Sequence, residues 1–150
     1  MVVHRIETRG GLRQLIGGIR AADVATLARC QQLVADRASD VLLDNGYDEI
    51  DGIGNPPTKG GATIQTLRRL ADEADDRYLT ALDQLEEGAG DDEVMRQFAI
   101  ARALAALVFV GGDSDAEAVL EGAYELCVVS KEEESELIQD LADALKATSN

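Results

Sequence analysis

The chain has 150 residues and a mass of 16.0 kDa, the span of one domain, with 29 Asp and Glu against 14 Lys and Arg and a formal net charge of −15. So acidic a balance excludes non-specific nucleic-acid binding, which rests on cations neutralising phosphates. A hydrophobic fraction of 45% excludes a wholly disordered chain, and one His with two Cys excludes a disulfide scaffold or a zinc finger.

The charge is unevenly placed. Residues 1–22 carry Arg5, Arg9, Arg13 and Arg20 against the single acid Glu7, a net +3, which leaves −18 on the rest of the chain. The expected organisation is a basic N-terminal arm or short helix over 1–22, then a single acidic helical domain over 23–150. The arm is expected to pack on the body of its own chain or of a neighbour. Its arginines interrupt every short apolar stretch, so no secretory signal is read. The longest apolar run, Ala103 to Val110, has eight residues against the roughly 20 needed to cross a bilayer. The expected location is cytoplasmic, off the membrane, with Cys30 and Cys127 as reduced, buried thiols.

The first long helix is predicted from Asp23 to Leu43. Val24, Leu27, Ala28, Val34, Ala38, Val41 and Leu42 fall at helical spacing on one face, with Gln31 the only polar member. Asp23 suits an N-cap, and Asn45-Gly46 a stop. Residues 44–62 then read as a long loop holding five of the fourteen glycines and both prolines. Loops this long inside compact domains are often functional, so Asp48, Asp51, Asn55 and Lys59 are its candidate partner-binding positions. Its acids miss the EF-hand calcium pattern, because Glu49 stands where that loop needs Gly and Asn55 where it needs Glu.

Thr63 to Glu87 carries a strict heptad seam: Ile64, Leu67, Ala71, Ala74, Tyr78, Ala81 and Leu85 step by three and four. Leu70 and Leu82 flank it. A helix of this length is a rod of about 37 Å, and its seam fits an antiparallel neighbour or the same helix of a second copy. Asp91 to Val110 is the third helix, apolar nearly all round from Phe98 onward, with Arg102 its one charge there. Such a helix is expected to be buried on every side at the centre of the fold. Ser114 and Glu117 form a capping box opening a fourth helix, and Ser130 and Glu133 a second box opening a fifth. Only a short connector separates these two, which makes them an antiparallel hairpin. The predicted fold is therefore all-α, a mostly antiparallel bundle of about five helices around a buried central helix, 91–110. Its apolar surface suggests a homodimer.

The candidate chemistry is narrow. His4 is the only histidine, which leaves no second imidazole for a di-iron site and no placed base for a serine triad. Carboxylates alone suit Mg²⁺, which takes one or two of them plus substrate phosphates. Glu73 and Asp76 form an E-x-x-D step, and Glu132, Glu133 and Glu136 an E-E-x-x-E step. Both fragments are loosely similar to motifs of the all-α nucleoside triphosphate pyrophosphohydrolases of the MazG type. That resemblance implies a Mg²⁺-dependent nucleotide hydrolase using Glu73, Asp76, Glu133 and Glu136. The order of the two motifs is reversed relative to that family. The leading expectation is a non-catalytic interaction module of adaptor, chaperone or immunity type. It needs no cofactor or metal, and binds a protein partner with a basic surface through its acidic field.

Overall fold

A computed structural model describes residues 10–47, 61–86, 91–112 and 115–148. Among them the chain is helical with no strand. It begins with two short helices, α1 (Gly10–Arg13) and α2 (Ile16–Ala21). Five longer ones follow: α3 (Val24–Asp44), α4 (Gly61–Glu86), α5 (Asp92–Gly112), α6 (Ala116–Cys127) and α7 (Lys131–Thr148). The all-α bundle read from the sequence is the observed fold, with two short helices added in front. Asp44 closes α3 and Gly61 opens α4, so the predicted loop is shorter at both ends. The four candidate positions Asp48, Asp51, Asn55 and Lys59, like His4, lie outside the described residues.

The helix starts have local causes. Asp23 caps α3, its carboxylate accepting from the Thr26 amide at 2.8 Å, and this bond holds its pKa below the usual aspartate range. Ser130 caps α7, its hydroxyl accepting from the Glu133 amide at 3.1 Å. The start of α6 differs from the predicted capping box. Asp115 is the cap, accepting from the Ala118 amide at 2.8 Å. Asp serves as well as Ser in this role. Glu117 does not reach back to the cap, because it pairs with Arg20 of α2 at 2.8 Å.

Helix α5 is the centre of the bundle. It packs on α3, α4 and α6, and runs antiparallel to all three. Gln31 meets Val110 while the Asn45 carbonyl meets Arg96, which sets the direction against α3. Asp75 meets Arg102 and Tyr78 meets Phe98, which sets it against α4. Leu104 of α5 is fully buried among residues that include Val34, Leu67 and Leu120. Removing such a side chain from water stabilises by about 1.5–3 kcal/mol. The central helix is covered on three sides only. Between α4 and α6, Phe98, Ala105 and Phe109 are half-buried. The sequence expectation of burial on every side is corrected there, because no fourth helix covers that strip among the described residues.

The N-terminal stretch packs on the far side. Leu12, Ile16 and Ile19 are buried as α1 meets α7 and α2 meets α6. Both cysteines are buried and unbridged, and burial pushes the Cys30 thiol pKa up.

Gln31, the polar residue on the apolar face of α3, is explained by its bond. Its buried side-chain amide donates to the Val110 carbonyl near the end of α5. Terminal carbonyls of a helix lack an intrahelical donor, so Gln31 satisfies one that would otherwise be buried bare. Gln31→Met keeps the volume and removes the donor. It is expected to lower stability by about 1–3 kcal/mol in a urea titration. An unchanged midpoint would contradict that role.

Candidate functional site

Among the described residues, two arginines each bridge acids of more than one position. Arg37, on the side of α3 that packs against α7, reaches across to the first turns of that helix. Its Nη2 lies 2.9 Å from Glu136, its Nη1 3.5 Å from Glu133 and its Nε 3.5 Å from Asp140. These acids stand at helical spacing on α7, three and four residues apart, so one guanidinium spans them. Asp40 and Asp44 of α3 lie near enough to act on Glu133. Burial raises the Glu133 pKa; Arg37 opposes that, and Glu136, Asp44 and Asp40 reinforce it. One cation shared by three carboxylates does not offset the cost of burying this one. Burial lowers the Arg37 pKa, but Glu133, Glu136 and Asp140 together raise it beyond that.

Arg102, the one charge on the apolar part of α5, forms the second centre. Its Nη1 lies 2.5 Å from Glu125 on α6 and its Nη2 2.9 Å from Asp75 on α4. Its guanidinium carbon sits 5.9 Å from the centre of the Phe98 ring, which packs against Tyr78 at 5.3 Å. A single arginine thus ties α5 to both neighbours. Glu125 is only 5% exposed and Glu121, one turn before it, 6%. The buried partner Arg102 required was legible in principle, since a charge on an apolar helix calls for an acid within reach.

The acids singled out in the sequence fall into two separate groups. Glu133 and Glu136 come together on Arg37. Glu73 pairs with Arg69 one turn earlier on α4, at 3.0 Å. Asp76 lines a shallow cavity of about 290 Å³ with Thr80, Gln84 and Glu93. No group of three or more His, Cys, Asp or Glu gathers in metal-binding geometry among the described residues. A second cavity, of about 320 Å³, opens over the uncovered strip of α5. Val108, Phe109 and Ala118 form its apolar part, and Glu117, Glu121 and Arg68 its polar rim.

Comparison with protein-family models, with curated proteins and with solved structures finds no match to this chain.

Proposed function

We propose that the chain is a non-catalytic protein-interaction module that captures a partner with a basic surface. The observation that supports this reading most strongly is the Arg37 cluster. Three carboxylates share one guanidinium, and Asp40 and Asp44 stand beside them, so the α3–α7 face keeps a net negative field. Four further arginines act in the same sense. Arg20, Arg69, Arg96 and Arg102 are each engaged by an acid of this chain. With Arg37, five of the chain's fourteen cations are thus held by its own acids, while acids such as Asp72 and Asp83 of α4 are exposed to water. Such a field steers cationic partners and raises their association rates.

Calorimetric titration with a lysine-rich peptide and a glutamate-rich peptide of equal length tests the reading. The lysine-rich peptide is expected to bind, with an affinity that falls as ionic strength rises. Equal binding of the two peptides would contradict the proposal. So would Mg²⁺-dependent nucleotide release by the wild type that is lost in Glu73→Gln.

A further inference from the structure

We infer that the channel over α5, between α4 and α6, receives an amphipathic basic helix of the partner. This inference rests on the proposed interaction function and gives it a place. Its first ground is a seam. Met95, Phe98, Arg102, Ala105 and Phe109 follow one another by three and four residues along α5, so they form one stripe. Arg102 of that stripe is joined to Asp75 of α4 and Glu125 of α6, which places the stripe between those two helices. The stripe is the side of the central helix that the bundle leaves uncovered. Leu79 and Leu82 stand four and seven residues after Asp75, on the same side of α4. Leu79 is 56% exposed and Met95 63%. Exposed large apolar side chains grouped this way mark interaction surfaces.

The second ground is charge. Asp72 and Asp83 are exposed along α4 beside Leu79. Glu117 and Glu121 rim the cavity at the α6 side. Of the cations here, Arg102 is held by Asp75 and Glu125, Arg20 is held by Glu117, and Arg68 is at the cavity edge. An apolar channel with acidic banks fits a helix with an apolar stripe flanked by Lys and Arg. This is the helix-in-groove mode, in which anchors at heptad spacing give affinity and flanking charges give orientation.

The test uses a lysine-rich peptide of about five helical turns with leucines at heptad spacing. A second peptide has the same sequence except for a central proline that breaks the helix. The helical peptide is expected to bind the wild type at least about tenfold more tightly than the broken one, the loss of about one anchor contact. Leu79→Asp and Met95→Asp, both at exposed positions, are each expected to remove that preference, with helical content unchanged by circular dichroism. Leu43→Asp, 64% exposed on α3, is expected to keep it. Equal binding of the two peptides overturns the groove and leaves the basic-partner reading standing. Failure of both peptides to bind overturns both. A third result also overturns the groove assignment: a wild-type dimer that Leu79→Asp makes monomeric without changing peptide affinity, since the face then belongs to a second copy.

Discussion

Gly122→Leu is expected to destabilise the fold by about 3 kcal/mol or more, the upper range of core overpacking. Gly122 lies in the middle of α6, packed against both α5 and α3. A β-carbon there would stand 3.0 Å from Cγ1 of Val110, 3.0 Å from Cγ1 of Val34 and 3.3 Å from the Ala106 carbonyl oxygen. The two valines are stiff at χ1 within their helices, and the carbonyl belongs to the central helix backbone. No neighbour can turn aside, so a larger side chain has to push α6 away from α5. That shift would also pull Glu125 off Arg102. Gly122→Ala is the informative companion. It gains about 1 kcal/mol of helix propensity and meets the same contacts with one carbon. The two effects are of similar size, so its net change should lie within about 1 kcal/mol of zero. Chemical denaturation measures both. A leucine variant as stable as the wild type would show that α6 does not pack as described.

Arg37→Met is the second large effect, expected to cost about 1–3 kcal/mol at neutral pH. It removes the one cation among Glu133, Glu136 and Asp140 and leaves them facing Asp40 and Asp44. The loss should shrink in acid, as the five carboxylates protonate and their repulsion disappears. Glu133→Gln tests the opposite sign. Burial raises the Glu133 pKa above the ordinary glutamate value in the folded chain. A group shifted in this direction contributes stability that is fully present below its unfolded pKa. That stability is lost as pH rises through the folded value. At neutral pH the ionised Glu133 is therefore a burden, and Glu133→Gln should be as stable as the wild type or more so. Its advantage should vanish below the ordinary carboxylate range. Thermal melts of both variants across pH 3–8 measure this. A Glu133→Gln variant that is destabilised at pH 7 and not at pH 4 would contradict the assignment.

The helices were legible because local chemistry sets them. Asp23 at the start of α3, Asn45-Gly46 at its end and the Ile64–Leu85 seam on α4, which is buried or half-buried up to Ala81 while Leu85 is exposed, all lie within a few residues of what they determine. The centrality of α5 was legible too, from its composition. The site was far less so. Arg37 and the acids of α7 are separated by about a hundred residues, and nothing in the spacing on α3 announces them. Gly122 reads as a weak point in a helix, and only the approach of Ala106 and Val34 explains it. Ser114 of the predicted capping box lies outside the described residues; the observed cap of α6 is Asp115, and Glu117 pairs with Arg20. Leu79 and Met95 fell off the predicted core stripes, and their shared channel emerges only once α4 and α5 are laid antiparallel.

The central claim is that the acids left over after internal pairing attract a basic partner. The association rate constant of the lysine-rich helical peptide, measured by stopped flow at low and at high ionic strength, tests it most directly. Electrostatic steering acts on the encounter and is screened by salt, over a length that falls from about 30 Å at 0.01 M to about 10 Å at 0.1 M. The expected result is a rate constant that drops by about tenfold or more between about 0.01 and 0.3 M salt, with a smaller change in dissociation. A rate constant that is the same at both ionic strengths would contradict the claim.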